Sequence, residues 1–94
     1  MGAIFIESKL VGCNFRDTKL SGANFTRANA KCADFNFAIA KKTEFIQCDL
    51  SLATMPNLKA KYAKFTDAIC NGAIFDSSTL YMCNFVNAKL TGVS

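Results

Sequence analysis

Every fifth residue of this 94-residue chain is apolar. The positions divisible by five, from Phe5 to Leu90, hold only Phe, Leu, Ala, Cys or Met. Two residues before each of them lies a second selected position, which holds Ala, Cys, Ser or Thr except at Leu58 and Val93. All alanines fall in these two classes, and no charged residue does. A repeat of five residues therefore decides the fold before any single element is assigned.

A five-residue period excludes both regular alternatives. An α-helix turns by about 100° per residue, so a stripe of every fifth residue would drift by about 140° at each repeat. A flat strand alternates its faces, so an odd period would change face at every repeat. Within each unit the selected positions are spaced by two and then by three. This spacing predicts a short extended segment followed by a corner.

The residues after each central position are typical of turns. All five glycines lie two residues after a central position, and Pro56-Asn57 places a proline and an asparagine at the same corner. A type II turn needs a positive φ at its third residue, which Gly and Asn tolerate. We expect type II turns at these corners, and type I turns at some of the corners that carry Arg27, Lys42 or Tyr62.

The number of sides follows from the central residues, which alternate between Phe and smaller apolar residues with a ten-residue period. A three-sided coil of 15 residues would stack Phe on Leu, whereas a four-sided coil of 20 residues stacks Phe on Phe, which is favourable. The sequence predicts an all-β, four-sided parallel β-helix of about four and a half coils, forming a single domain over residues 1–94. We expect a bulge or a widened coil at residues 54–58, where bulky Leu58 replaces a small residue.

At this point the chain resembles the pentapeptide-repeat proteins, a family with the pattern Ala-(Asn/Asp)-(Leu/Phe)-x-x. The resemblance runs from about Ala3 to Val93 and implies that the coil is right-handed. Some family members are acidic rods that imitate DNA and protect type II topoisomerases from quinolones. This chain carries a net charge of +4, so we rank that function low. The units that match the pattern directly are Ala23-Asn24-Phe25, Ala33-Asp34-Phe35, Cys13-Asn14-Phe15, Cys48-Asp49-Leu50 and Cys83-Asn84-Phe85.

We expect no enzyme activity, and we assign no catalytic, cofactor-binding or metal-binding residue. The chain has no histidine, which removes the commonest general base and metal ligand. The glycines are spaced along the chain and form no phosphate-binding loop. Two stacks of Phe would fill the interior, because protein interiors are close-packed.

The five cysteines show no spacing typical of a metal site or a disulfide framework. The repeat places Cys13, Cys48, Cys70 and Cys83 inward as reduced thiols, and Cys32 alone outward. An odd number of cysteines suits a reducing compartment. The N-terminus lacks the pattern of a secretory signal, and no apolar run is long enough to cross a bilayer. We therefore expect a cytoplasmic protein without a membrane partner.

One outer corner of the coil gathers basic and aromatic residues. Two interpretations stay open: a solvated face that deters aggregation, which we favour, and a surface for an anionic partner, which could be nucleic acid, an acidic protein surface or a membrane surface. Five of the 11 basic residues lie on this one edge, more than an even spread would place there. We call this group the lysine edge; it comprises Lys19, Lys41, Lys42, Lys59, Lys61, Tyr62, Tyr81 and Met82.

The last coil has few charges, and its apolar residues include Phe85, Leu90 and Val93. Open coil ends expose apolar surface and unpaired backbone groups. We expect self-association through the coil ends, with a C-terminal face-to-face homodimer as the first model and a head-to-tail stack as the alternative.

Two classes of function are compatible with these features. The first is a non-enzymatic scaffold or binding module whose outer faces contact another macromolecule, which we expect to be a protein, with a weaker nucleic-acid contact. The second is a structural spacer, or an excised or engineered solenoid. Fold alone does not decide between them.

Overall fold

The computed structural model describes residues 2–94. Fourteen parallel β-bridges join residues that are 20 apart in sequence, from Ile4↔Asn24 to Ile69↔Lys89. Each side of a coil contributes one bridged residue, which immediately precedes the central residue, and turns connect the sides. This register confirms the four-sided parallel coil. The bridged positions are 4, 24, 44, 64 and 84 on the first face, 9, 29, 49, 69 and 89 on the second, 14, 34, 54 and 74 on the third, and 19, 39, 59 and 79 on the fourth.

The repeat leaves one backbone N–H of every five without a backbone acceptor. In the first unit, the N–H groups of Phe5 and Glu7 donate to the next coil, and Ser8 N–H closes the turn onto the Phe5 carbonyl. The bridged residue donates to the previous coil, as Asn24 N–H does to the Ala3 carbonyl at 2.9 Å. The residue directly after each central position has no such bond, and it needs another acceptor if it is to stay satisfied.

Asn and Asp side chains supply that missing acceptor. The Oδ1 atom of Asn24, for example, accepts the N–H of Thr26 at 2.9 Å. This contact explains why Asn or Asp recurs directly before Phe or Leu: the side chain satisfies a backbone donor two residues later. The residues that accept in this way are Asn14, Asn24, Asn29, Asp34, Asp49 and Asn84.

All corners have the same backbone conformation. Every corner residue from Glu7 to Gly92 has φ between 54° and 75° at the third turn position, and each turn is closed by a hydrogen bond onto the central carbonyl. Arg27, Lys42 and Tyr62 have φ of 58°, 60° and 63°, so the expectation of type I turns at these corners was wrong. A left-handed residue costs roughly 1–2 kcal/mol. The continuous backbone ladder with the next coil outweighs the local preference of each corner residue.

Two stacks of phenylalanine rings fill the coil. In the first stack, successive rings lie parallel with centroids 4.7–5.0 Å apart. In the second stack, Phe15 and Phe35 are 5.0 Å apart, and buried Met55 occupies the place of the next ring. The two stacks contact each other edge to face at 5.5–6.2 Å, a favourable geometry for aromatic pairs. The first stack consists of Phe5, Phe25, Phe45, Phe65 and Phe85.

The segment at residues 54–58 contains no bulge, so that expectation was wrong. The bridge Thr54↔Ile74 keeps the 20-residue register, and Leu58 N–H closes its turn onto the Met55 carbonyl at 3.3 Å. Leu58 is fully buried. Its neighbouring central residue is the small Ala60, so we infer that Leu58 fills the volume that a larger central residue would take.

Burial is complete in the middle coils and partial at both ends. Phe5 and Phe15 in the first coil and Leu80 and Phe85 in the last are half-buried. Within residues 2–94, no helix has the length and apolar character needed to cross a membrane.

Candidate binding surface

The interior offers no room for a ligand between the ring stacks, since their edges and faces are in contact. Among residues 2–94, no three His, Cys, Asp or Glu side chains are grouped to hold a metal ion. An open, wholly apolar depression of about 210 Å³ lies at the end of the last coil. A binding function therefore depends on the outer surface or on the coil end. The depression is lined by Phe75, Leu80, Phe85, Leu90 and Val93.

The structure brings the lysine edge together on the fourth face and the corner that follows it. Bridges place Ile39 between Lys19 and Lys59 on the face. On the corner, Lys42 N–H donates to the Lys61 carbonyl at 2.9 Å, and Tyr62 N–H to the Tyr81 carbonyl at 2.9 Å. The corner residues therefore stack in two neighbouring columns. The first column contains Ser21, Lys41, Lys61 and Tyr81, and the second contains Gly22, Lys42, Tyr62 and Met82.

The positive charge of the protein is concentrated on this edge. The lysine edge holds five of the 11 basic residues and none of the seven acidic residues. The remaining six basic and seven acidic residues nearly cancel on the other three faces. All five lysines are exposed, and none of them forms an ion pair within 4.0 Å with any of residues 2–94. The edge thus presents its net charge directly to solvent or to a partner.

Four ion pairs join neighbouring coils on the rest of the described surface. Arg16 Nη1 lies 3.1 Å from Asp34 Oδ2, and Arg27 Nε lies 3.4 Å from Glu7 Oε2. Glu44 and Lys64, which the 20-residue register stacks directly, are 4.0 Å apart. Lys31 and Asp49 form the fourth pair, at 3.6 Å. The basic partners and Glu7 are exposed, whereas Asp34, Glu44 and Asp49 are half-buried. Solvent reaches all four pairs, and each contributes little to stability.

Lys61 is positioned by two aromatic rings. Its Nζ atom lies 5.7 Å from the ring centroid of Tyr62 and 5.4 Å from that of Tyr81. The two rings meet edge to face with centroids 5.9 Å apart. Both contacts are within the range of cation–π interactions, worth about 0.5–1 kcal/mol at exposed sites. The two rings therefore hold the Lys61 ammonium group in a defined place.

Apolar side chains lie among the lysines. Tyr81 is 58% exposed, Met82 66% and Ile39 38%. Ile39 was not predicted to belong to the lysine edge, which was defined by its lysines and by Tyr62, Tyr81 and Met82 beside them. The 20-residue register contained the signal, since it places residue 39 directly between residues 19 and 59.

The cysteines follow the inward–outward assignment with one refinement. Cys32 is exposed and Cys48 and Cys70 are buried, whereas Cys13 and Cys83 are only half-buried because they lie in the end coils. Burial, followed by the nearby Cys70 and Asp49, raises the pKa of the Cys48 thiol to about 12. Burial, with Asp49, likewise raises the pKa of Cys70 to about 12. Both residues therefore act as small apolar side chains.

The residues expected to mediate self-association lie around the depression. Phe85 and Val93 are half-buried, and Leu90 is 44% exposed. The N–H groups of Leu80, Phe85 and Leu90 have no acceptor within residues 2–94, whereas the equivalent groups of earlier coils donate forward. The last coil therefore presents apolar side chains and free backbone donors together.

The repeat geometry agrees with the match to a known family. The sequence model of pentapeptide repeats matches eight copies over residues 1–31, 8–43, 18–57 and 59–92. The chain belongs to the pentapeptide-repeat family. Solved structures of similar fold include a pentapeptide-repeat protein from the thylakoid lumen of Arabidopsis thaliana. It is 20% identical, with a TM-score of 0.73 over 95% of this chain and 62% of that chain.

Two trypsin-treated forms of QnrB1, a plasmid-mediated fluoroquinolone resistance protein, are also similar to this pentapeptide-repeat protein. They are 21% and 22% identical, each with a TM-score of 0.75 over 93% of this chain and 58% and 57% of theirs. Likeness at these identities establishes the fold alone, a right-handed four-sided β-helix. The chain spans less than two thirds of each of these solved chains. No curated protein matches its sequence.

Proposed function

We propose that this pentapeptide-repeat protein is a non-enzymatic scaffold that binds a macromolecular partner through the lysine edge. The observation that carries the proposal is the segregation of charge: five exposed lysines without ion pairs share one edge with no acidic residue. A solenoid with a filled interior interacts through columns of outward side chains, which its rigid register keeps in fixed positions.

The sign of the charge separates this proposal from imitation of DNA. A surface that imitates DNA has to be negative, whereas the net charge here is +4. The QnrB1 forms share the fold at 21% and 22% identity, and fold likeness does not carry a function with it. We therefore infer a partner that is attracted to a positive surface.

The proposal is tested by affinity capture from an extract of the native host. The bait is compared with a variant that neutralises the edge, Lys41→Gln with Lys59→Gln. The matched control is Lys9→Gln with Lys89→Gln, because both are exposed lysines on the second face without ion pairs among residues 2–94. Circular dichroism establishes that all three baits are folded.

Quantitative mass spectrometry should show at least one protein whose recovery falls by about tenfold with the edge variant. The same protein should be recovered equally with the wild type and the second-face control. If the edge variant and the control retain the same set of molecules in the same amounts, the edge is a solvated face. The chain would then be better described as a structural spacer.

A further inference from the structure

The 20-residue register of the lysine edge stacks two like charges directly in one column, which no other column does among residues 2–94. Lys41 and Lys61 occupy the same column on consecutive coils, at the strand spacing of about 4.8 Å. Like charges placed opposite each other on neighbouring strands are destabilising. In two other columns the charges that stack directly are opposite: Glu7 faces Arg27 and Glu44 faces Lys64. A negatively charged partner would reduce the repulsion between Lys41 and Lys61. The repulsion would remain if the edge were only a solvated face.

The arrangement of Tyr62 and Tyr81 indicates which kind of anionic partner the edge can bind. Proteins that bind single-stranded nucleic acid stack successive bases on free aromatic faces. Here the Lys61 ammonium group lies over both Tyr62 and Tyr81, and the two rings are inclined by 72° to each other. This arrangement offers no parallel pair of faces to consecutive bases. It is suited to holding one cation towards a carboxylate.

The exposed apolar side chains also favour a protein partner over a nucleic acid. Ile39 is exposed between Lys19 and Lys59, and Tyr81 and Met82 are exposed in the last coil, next to Lys61 and Tyr62 in their columns. Aromatic residues and Met surrounded by polar residues are typical of the centre of a protein–protein interface, whereas a phosphate backbone offers no apolar group to match them. Arg, the residue that most often reads base edges, is missing from the edge: Arg16 and Arg27 are both paired elsewhere.

The size of the surface is adequate for a stable interface. The two ends of the coil also contribute to the 5109 Å² accessible surface, so one side has less than a quarter of it, on the order of 1000 Å². A standard interface buries about 800 Å² on each partner. The fourth face and its corner can therefore supply one complete interface without involving the other three faces.

We propose that the lysine edge binds an acidic protein segment that carries an apolar side chain among its carboxylates. In this arrangement Lys41, Lys59 and Lys61 face the carboxylates, and the apolar side chain packs against Tyr81 and Ile39. The inference rests on the proposed function and narrows its partner to one chemical class.

The experiment compares three probes by fluorescence anisotropy, using the full chain. The first is a short peptide of Glu and Asp with Leu-Phe at its centre, and the second is the same peptide with Gly-Gly at its centre. The third is a DNA duplex of equal net charge. The protein is used as wild type, as the edge variant K41Q with K59Q, as the second-face control K9Q with K89Q, and as Tyr81→Ala.

The Leu-Phe peptide should bind most tightly to the wild type, with the Gly-Gly peptide about tenfold weaker. The edge variant should lose about tenfold in affinity for the Leu-Phe peptide, and the second-face control should lose less than about twofold. Tyr81→Ala should weaken the Leu-Phe peptide more than the Gly-Gly peptide, because both lose one of the two rings that hold Lys61 and only the first also loses an apolar contact.

The outcomes separate this inference from the function on which it rests. Tighter binding of the duplex at the edge, lost in the edge variant, would overturn the acidic-protein partner and retain a binding surface. Equal affinity for the two peptides would remove the apolar centre and overturn the inference. If no probe binds the wild type more tightly than the edge variant, both the inference and the proposed function fail.

Discussion

The repulsion between Lys41 and Lys61 can be tested by measuring the stability of the protein. In Lys41→Glu, a carboxylate replaces the like charge stacked against Lys61 and creates the kind of cross-coil pair that Glu44 and Lys64 form. We expect the free energy of unfolding to rise by about 0.2–1 kcal/mol, and the gain to shrink in high salt. Urea titrations at low and high salt measure it.

The control is Lys9→Glu, since the residue stacked above Lys9 is the uncharged Asn29. That substitution should change stability by less than about 0.5 kcal/mol. A loss of stability in Lys41→Glu that persists at high salt would show that Lys41 stabilises its neighbours and that the stack is not repulsive.

The cysteines give a second prediction at this scale. Cys32 should react first with a thiol reagent in the native state, because it alone is exposed, and the thiolate is the reactive form. Cys48 and Cys70 should react last, since burial raises the pKa of both thiols to about 12. Time-resolved mass spectrometry of labelled peptides measures the order. Labelling of Cys48 as fast as Cys32 without denaturant would overturn the inward assignment.

Among the structural elements, the longer ring stack should contribute most to stability. Phe45 is fully buried, stacks on Phe25 and Phe65, and meets Phe35 edge to face. Phe45→Ala should lower the free energy of unfolding by about 3–5 kcal/mol. Lys89→Ala, as the surface comparison at an exposed lysine without an ion pair among residues 2–94, should stay within about 0.5 kcal/mol. Denaturant unfolding measures both, and a loss below about 1 kcal/mol at Phe45 would mean that the coil tolerates a gap between its rings.

The ion pair between Arg16 and Asp34 joins the first two coils beside the third face. Its contribution to stability should be lost in acid. Burial alone would raise the pKa of the Asp34 carboxyl, but the hydrogen bond from Asn36 N–H and the Arg16 guanidinium outweigh it, and the pKa lies below its ordinary value of 3.8. A carboxyl with a lowered folded-state pKa stabilises the fold above its unfolded pKa. This contribution disappears as the pH falls through the folded-state pKa.

Asp34→Asn isolates the charge, because an amide retains an Oδ1 acceptor for Asn36 N–H. The wild type should be more stable than this variant above about pH 4, and the difference should vanish at lower pH. Urea titrations across this pH range measure the difference. Two curves that remain parallel down to about pH 2 would contradict the assignment.

The elements also show what the sequence can predict and where it stops. The Phe spacing was sufficient to predict the number of sides, because like central residues stack in a 20-residue coil and not in a 15-residue coil. The corners at Arg27 and Tyr62 were mispredicted because the backbone ladder imposes a positive φ that local preference does not favour. Leu58 led to the prediction of a bulge because a bulky residue replaces a small one there. We infer that the small Ala60 beside it leaves room for the leucine, so the coil keeps its register. The position of the lysine edge was predictable, whereas the contacts of Lys61 with the tyrosines needed side-chain geometry.

The whole molecule is electrostatically one-sided. Its net charge of +4 arises from the lysine edge, since the other faces nearly cancel. A rigid coil with principal extents of 32 × 25 × 24 Å cannot redistribute these charges by bending. Approach of an acidic partner is therefore steered towards one side, and the association rate should fall with ionic strength.

We expect the C-terminal end of the coil to control association of the 94-residue polypeptide at high concentration. Leu90 is 44% exposed there beside an apolar depression, together with N–H groups that have no acceptor within residues 2–94. Such an end combines the two features that promote strand-edge pairing, apolar surface and free backbone donors. We expect the polypeptide to associate reversibly through this end. Sedimentation velocity over a wide concentration range measures the mass.

The substitution that tests this association is Leu90→Lys, which places a charge on the end surface and should restore the monomer. Thr91→Lys is the matched control, because Thr91 is exposed in the same coil but does not line the depression. A two-fold C-terminal contact closes at the dimer, whereas head-to-tail stacking continues to fibres. The mass distribution therefore distinguishes the two arrangements. A 10.2 kDa monomer at every concentration would contradict both, and it would mean that the apolar area at the end is too small to overcome the entropy lost on association.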